Sequence, residues 1–287
     1  MSVKDVLLQR LVNRRAFGPV TGLINHYIDE KIRSLPNLVP NTNISEEDVF
    51  ITGYPKSGHT WFQTLVAGVI YGIDFDYMPY SVVWDLVPDH AWPYYRRYST
   101  PTFFKSYDFP QPQYRRVVYL LRDGRDVMVS CYHQMVAVRN QRGQKRDFLQ
   151  VVQGCHGDYP EPTKWHEHVQ AWLSNPYGAH MLIIRYEELK RDAVKEVQRF
   201  CQFVGVERDH ALVEQAAQQG SFQQMRDKER REGLGNPMGG RRLPLRLKNQ
   251  PVVRRGEVGS YKDEMPAEIL DVFLQDAGDT LRKLGYL

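Results

Sequence analysis

The chain of 287 residues contains only three cysteines, Cys131, Cys155 and Cys201. They are odd in number and far apart, so neither a disulfide framework nor a metal knuckle is legible. No metal ligand set is expected, and a reducing cytoplasm is the expected setting. Long hydrophobic runs are missing too. The best, Leu65 to Ile70, is far short of the roughly 20 residues a membrane helix needs, so no membrane partner is expected. The opening MSVKDVLLQR carries an early acid and lacks the apolar core and cleavage site of a secretory leader. No internal repeat is visible. One further absence bears on chemistry. Gly53-x4-Gly58 almost spells the nucleotide loop G-x-x-x-x-G-K-[ST], but the lysine that should follow the second glycine is missing. His59-Thr60 stands there, and Lys56 sits inside the loop instead.

Apolar residues make up 42% of the chain and charged residues 25%, ordinary values for a globular protein with ample core. Asp48 to Thr52 is a short apolar run of the kind a buried parallel strand gives, and Thr60 to Tyr71 has a helical pattern. Val117 to Leu121 followed by Arg122-Asp123-Gly124 starts a second strand–loop–helix unit, its helix running from Asp126. Met181 to Ile184 starts a third, with one helix from Glu187 to Val204, and Thr102 to Lys105 is a fourth strand. Strands alternating with helices predict a single α/β domain, a P-loop-like, mostly parallel sheet flanked by helices on both faces. Ligands in such sheets bind beyond the carboxyl ends of the strands, where each of these motif residues falls. Residues 1–44 read as an N-terminal helix (Val6 to Ile32, broken near Gly18-Pro19) and an approach segment packed on the core. Residues 45–287 form the domain, with a flap at about 231–256 and a closing helix from Pro266 to Leu284.

The formal charge of +4 is unevenly placed, with ten basic and three acidic side chains between Arg226 and Arg255. A solvated loop explains such a run as well as a ligand does. The localisation suits a held anion better than the uniform basic coat of a nucleic-acid binder.

The Gly-rich turn and the helix behind it make a nest of backbone N–H groups for an anion, with Ser57 and Thr60 adding hydroxyls and Lys56 a point charge. In ATP enzymes the lysine after the second glycine reaches the β- and γ-phosphates, and Ser/Thr holds magnesium. Its displacement here, with no D-x-x-G metal strand legible, fits a metal-free donor whose transferred group carries less charge. A sulfuryl group is one such. A tight turn with an exposed lysine is the bland alternative.

Six stretches in order resemble the motifs of the soluble, cytosolic-type sulfotransferases over about residues 45 to 285. YPKSGHTW resembles their 5′-phosphosulfate loop, usually YPKSGTTW. Leu121-Arg122-Asp123-Gly124-Arg125-Asp126-Val127-x-Val129-Ser130 is similar to their 3′-phosphate motif, and Trp165-x-x-His168-Val169-x-x-Trp172 to their W-x-x-H-V-x-x-W helix. Arg185-Tyr186-Glu187-Glu188 and Ser221-Phe222-x-x-Met225 resemble the F-Y-E-D and S-F-x-x-M stretches. Arg254-Arg255-Gly256-x-x-Gly259-x-Tyr261-Lys262 is similar to R-K-G-x-x-G-D-W-K. The resemblance implies the donor 3′-phosphoadenosine 5′-phosphosulfate and the product adenosine 3′,5′-bisphosphate, with no metal. Lys56, Ser57, Gly58, His59 and Thr60 would cradle the 5′ end. Arg122, Ser130, Arg254, Arg255 and Gly256 would grip the 3′-phosphate, where arginine's fork binds bidentately. Trp61, Phe222 and Met225, with Tyr186 and Ser221, would meet the adenine side.

The family usually places K-T-H at the end of the strand after the acceptor segment, its histidine taking the acceptor proton. Here the stretch is FFKSYDFP, so Lys105 and Ser106 match and Tyr107 replaces the histidine. A phenol with pKa about 10 is a poor base unless positive charge lowers it, as Lys56 and Lys105 could. His59, standing where the loop usually has threonine, is an equal candidate, and Asp108 a third. His133 and His168 match family histidines. Lys56 is expected to stabilise the leaving bisphosphate and Lys105 the sulfuryl oxygens. Thirteen aromatics between Tyr71 and Phe109, interspersed with Asp74, Asp76, Asp85, Asp89 and Asp108, suit a small aromatic or cationic acceptor. The family's C-terminal dimer motif is not present after Lys262. A donor-binding protein without turnover and a P-loop small-molecule kinase are the competing readings.

Overall fold

The computed structural model describes residues 37–140, 147–154, 164–232 and 254–287. The predicted N-terminal helix, Cys155 and most of the predicted flap lie outside the described residues.

The strands, in chain order, are β1 (Leu38–Pro40), β2 (Val49–Gly53), β3 (Tyr94–Arg96), β4 (Phe103–Lys105), β5 (Arg116–Leu121) and β6 (His180–Arg185). The main sheet has the order β4-β2-β5-β6 and every pairing in it is parallel. Side chains alternate between its two faces as the strand period of two requires. Val49, Ile51, Phe103, Val118, Leu120 and Ile184 face one core cluster. Phe50, Phe104, Val117, Tyr119 and Leu121 face the other. That two-sided burial is why these strands read as continuous apolar runs. The expected α/β architecture is the one observed.

The first face is covered by α1 (His59–Tyr71) and α2 (Tyr80–Leu86). The second takes α3 (Gly124–Asn140), α4 (Phe148–Val152) and α5 (Trp165–Ser174). The segment predicted as one helix from Glu187 to Val204 is instead two, α6 (Tyr186–Arg191) and α7 (Ala193–Val204). Asp192 divides them: its backbone leaves helical geometry and its carboxylate accepts from the Lys195 N–H, an N-cap. Then come α8 (His210–Gln219), α9 (Phe222–Glu232), α10 (Tyr261–Glu264) and α11 (Ala267–Lys283). An antiparallel pair, β1 with β3, was not anticipated.

Two features aim the site. From β2 the chain goes to β4 on one side and β5 on the other, so a crevice opens at the carboxyl end of β2. Behind it, buried Asp48 accepts from the Arg97 guanidinium at 2.8 and 3.0 Å, the Thr102 N–H at 2.8 Å and the Ser45 N–H at 2.8 Å. This one carboxylate ties the starts of β2 and β4 together.

Candidate active site

The loop after β2 turns through a hydrogen bond from the Ser57 N–H to the Tyr54 carbonyl at 3.1 Å. Gly58 then starts α1 at φ 106°, and a Cβ there would meet the Tyr186 ring at 3.0 Å. Lys56 adopts φ 73°, a left-handed conformation uncommon outside glycine and asparagine. The first turn of α1 contains no acid and receives no side-chain cap. Its free N–H groups and dipole therefore remain available to an anion. Ser57 Oγ, both ring nitrogens of His59 and Arg122 Nε are buried with no hydrogen-bond partner. Unmet polar groups of this kind are costly, and here they gather around one turn. Burial, aided by the Arg122 charge and opposed by Cys131, pulls the Lys56 ammonium below its usual range.

Arg122, at the end of β5, joins this loop to the returning C-terminal arm. It donates to the Lys56 carbonyl at 3.3 Å and the Glu257 carbonyl at 3.1 Å, and lies 4.1 Å above the centre of the Tyr186 ring. The Tyr186 hydroxyl donates to the Gly256 carbonyl at 3.2 Å. Trp61 meets Tyr186 edge-on at 5.6 Å, and Met225 belongs to the same core cluster, with Phe222 packed against it. Arg254 forks onto Glu264 at 2.7 and 3.0 Å, and Arg255 reaches the same carboxylate at 3.1 Å. His133 joins them, with Nε2 2.7 Å from Glu264. The structure thus pairs both arm arginines with a glutamate the sequence reading had not singled out. Ser130 lies half-buried on α3. The Ser221 hydroxyl accepts from the Gln224 N–H at 3.4 Å, a local bond at the start of α9.

At the end of β4, Lys105 donates to Asp89 at 3.0 Å and sits 4.7 Å from the centre of the Tyr107 ring. Burial disfavours its charge, but Asp89 outweighs burial and the ammonium is held above its ordinary range. Burial also pushes the Tyr107 phenol up; Lys105 pulls it back, Asp89 adds to the rise, and the result stays above the ordinary value. The lysines therefore do not turn Tyr107 into a tyrosinate at neutral pH. Asp108 is already engaged, accepting from the Ser106 hydroxyl at 2.8 Å and the Tyr114 hydroxyl at 2.5 Å, with His90 at 3.4 Å. Burial would raise it, yet these bonds from His90, Tyr114 and Ser106 hold it at about 2, far too low for a base. His168 spans Tyr119 at 3.1 Å and the Tyr107 carbonyl at 3.2 Å, and burial lowers it to about 4. The His59 and Tyr107 rings stand 4.5 Å apart.

Lys56, Ser57, His59, Arg122, Lys105 and Tyr107 are thus brought to one end of the sheet, as their strand-end positions predicted. Glu264 was not singled out in the sequence, and Asp89 and Asp126 stood there only as members of the acceptor segment and of the 3′-phosphate motif, without the roles they take here. Asp126 is 1% exposed and bonds the Gly259 N–H at 2.7 Å, the Tyr261 N–H at 3.0 Å and the Ser260 hydroxyl at 3.2 Å. Its place in Arg-Asp-Gly-Arg-Asp was visible, but the partner lies 133 residues on.

An α/β sheet whose strand β2 ends in a glycine-bounded turn at a helix start, with an arginine at the end of the neighbouring strand, is the geometry of an anion-binding group transferase site. Residues 46–285 match the sulfotransferase domain, and the chain belongs to that family. It is similar to sulfotransferase 1E1 of Bos taurus, 26% identical over 250 residues, 79% of this chain and 81% of that protein. Sulfotransferase 2A6 of Rattus norvegicus is 26% identical over 262 residues, covering 85% and 88%. In fold, the chain is similar to retinol dehydratase in complex with androsterone and inactive cofactor PAP. The TM-score is 0.61 at 18% identity, over 85% of this chain and 83% of that one. A mouse sulfotransferase complexed with PAP gives a TM-score of 0.60 at 19% identity, over 84% and 87%. Among the described residues, no helix is long and apolar enough to cross a membrane.

Proposed function

We propose that this enzyme transfers a sulfuryl group from 3′-phosphoadenosine 5′-phosphosulfate to a hydroxyl or amine of a small aromatic or cationic acceptor, in the cytoplasm. The observation that carries the reading is the bridge made by Arg122. A donor with phosphates at both ends of its ribose needs two anion sites, and Arg122 contacts the loop of one and the arm of the other. The residues fit that donor. Ser57 Oγ and Arg122 Nε are buried without partners, and Lys56 supplies a cation whose charge burial already disfavours. The bound donor supplies the transferable sulfuryl group. Lys56 and the N–H groups of the loop hold the 5′ phosphate and meet charge on the leaving oxygen. Lys105, held by Asp89, steadies the sulfuryl oxygens. Arg122, Ser130, Arg254, Arg255 and Gly256 would hold the 3′-phosphate, for which the two arm arginines would exchange their bonds to Glu264. Trp61, Tyr186, Ser221, Phe222 and Met225 form the adenine side. The aromatic run from Tyr71 to Phe109 supplies the acceptor wall, with Tyr80 and Trp84 stacked 6.0 Å apart. The buried free thiols Cys131 and Cys201 suit a reducing compartment.

The test is calorimetric titration with adenosine 3′,5′-bisphosphate and with ATP plus magnesium, for wild type and Arg122→Ala. Preference for the bisphosphate, weakened at least tenfold in the variant, is expected. Equal or tighter ATP binding would return the site to a kinase. A panel of phenols and amines with radiolabelled donor then reads the acceptor class.

A further inference from the structure

We infer that His59, on the phosphate loop, is the general base of this enzyme, taking the acceptor proton in place of a histidine at the end of β4. The inference rests on the sulfotransferase reading above and names the one catalytic group that reading leaves unassigned.

Three observations carry it. First, His59 is 3% exposed, yet neither ring nitrogen makes a hydrogen bond of ordinary geometry, the Ser106 backbone being near enough only to favour its charged form weakly. A structural histidine buried this deeply ordinarily satisfies its nitrogens, because each unmet group costs about 1–3 kcal/mol. His168 shows the ordinary case nearby, with both nitrogens bonded. Second, the His59 ring lies 4.5 Å from the Tyr107 ring, centre to centre. An imidazole on the loop therefore reaches the same place that one at residue 107 would reach from the strand. Third, the competitors are committed elsewhere. Tyr107 is held protonated, Asp108 Oδ2 already takes the Ser106 and Tyr114 hydroxyls with His90 beside them, and His168 is locked between Tyr119 and a carbonyl.

The surroundings keep His59 neutral and so able to accept a proton. Burial, Lys105 on β4, His168 on α5 and Lys56 on the loop all disfavour its charged form, the Ser106 backbone working weakly the other way. As the first residue of α1 it also meets the positive end of the helix dipole. The same positive surroundings would make it a weak base were it not for the donor's negative charge, which the same loop holds and which raises the basicity of a neighbouring imidazole. His59 thus becomes an effective base once donor is in place. In the step, the acceptor oxygen forms the new bond to sulfur as the bond from sulfur to the 5′-phosphate oxygen breaks. That electron pair stays on the phosphate oxygen, where Lys56 meets it. The acceptor proton moves to a nitrogen of His59 and then to solvent after product leaves.

The experiment compares wild type, His59→Thr, Tyr107→Phe and the exchange variant His59→Thr/Tyr107→His, using a simple phenol as acceptor. Each is read by kcat, by calorimetric affinity for the bisphosphate, and by nitrogen NMR of labelled histidines in the bisphosphate complex with and without the phenol. His59→Thr is expected to lower kcat by about 10²- to 10⁴-fold, the usual range for a lost base, with bisphosphate affinity within about threefold of wild type. The exchange variant is expected to recover at least tenfold of that loss, which a purely structural histidine would not allow. The His59 resonance is expected to move when the phenol is added. Retention of kcat within about threefold in His59→Thr, a Tyr107→Phe loss as large as that of His59→Thr, or no recovery on exchange would each overturn the assignment. If the wild type fails to bind the bisphosphate at all, the donor reading falls first. That outcome is distinct from intact binding with an unimportant His59.

Discussion

Replacing Asp126 tests how the arm that carries Arg254 to Gly256 is held. Its Oδ2 accepts from the Gly259 N–H, and its Oδ1 from the Tyr261 N–H and the Ser260 hydroxyl, at 2.7, 3.0 and 3.2 Å. In Asp126→Asn the amide oxygen can keep the Tyr261 and Ser260 bonds, without their charge. The amide nitrogen then faces the Gly259 N–H, donor against donor. One charge-assisted bond lost and one half-buried N–H left facing a donor together cost about 2–4 kcal/mol. Asp126→Ala loses all three bonds and should cost more. A chain of 287 residues unfolds with an entropy of about 0.6 kcal/mol/K, so a 3 kcal/mol loss lowers Tm by about 5 °C. The arm must also be re-ordered when the bisphosphate binds, and about 1.4 kcal/mol of such ordering weakens Kd tenfold. Scanning calorimetry and bisphosphate titration on the two variants read both effects. Unfolding within about 1 °C of wild type together with an unchanged Kd in Asp126→Asn would show that the arm is held by other contacts.

Gly256→Ala places a Cβ 2.1 Å from the Phe222 ring at a backbone φ of 61°. Left-handed strain and the clash together cost about 2–4 kcal/mol, so bisphosphate affinity should fall, with equal affinity in calorimetry refuting the contact. Lys105→Met is expected to lower kcat about 10²- to 10³-fold with bisphosphate affinity little changed; a pure binding defect in steady-state kinetics would move Lys105 out of the transition state. Asp108 is held at about 2 by hydrogen bonds that outweigh its burial, so its folded-state value lies below the unfolded one. Its contribution to stability is present above about pH 4 and lost as pH falls toward about 2. Denaturant unfolding of Asp108→Asn should therefore differ from wild type at pH 6 and converge toward it at pH 2.5, and a constant difference would refute the linkage.

The phosphate loop and Arg122 were legible because each is a local pattern, a short apolar run, a turn and a helix, whose physics needs only neighbouring residues. The division of α6 from α7 was legible in principle as well, since Asp192 has N-cap chemistry, but the apolar periodicity on either side masked it. Contacts that depend on topology were not legible. Asp89 meets Lys105 only because residue 89 forms a parallel bridge beside β4. Glu264 meets Arg254 and Arg255 through a turn of α10 that no periodicity announces. The proximity of His59 to Tyr107 follows from β2 and β4 being neighbours in the sheet. Sequence alone left these two residues equal as candidate bases, and the preference for His59 proposed above rests on surroundings that only the fold supplies.

The loop is locally unfavourable, and the rest of the molecule makes it affordable. Lys56 is left-handed without being glycine, His59, Ser57 and Arg122 hold buried polar atoms without partners, and the Arg122 charge stands close enough to Lys56 to disfavour its ammonium. Left to itself such a turn would relax, swinging Lys56 to solvent and re-pairing His59. It cannot, because its two ends are fixed by elements that gain by staying put. β2 is buried along its whole length between β4 and β5, and the Asp48 carboxylate clamps the starts of β2 and β4 to Arg97. Registering those strands at their beginnings sets Lys105 opposite Ile51, on the side of β2 from which its loop departs. The strain and unmet hydrogen bonds are then relieved by an anion, so part of the free energy stored in folding is recovered as selectivity for a doubly phosphorylated donor.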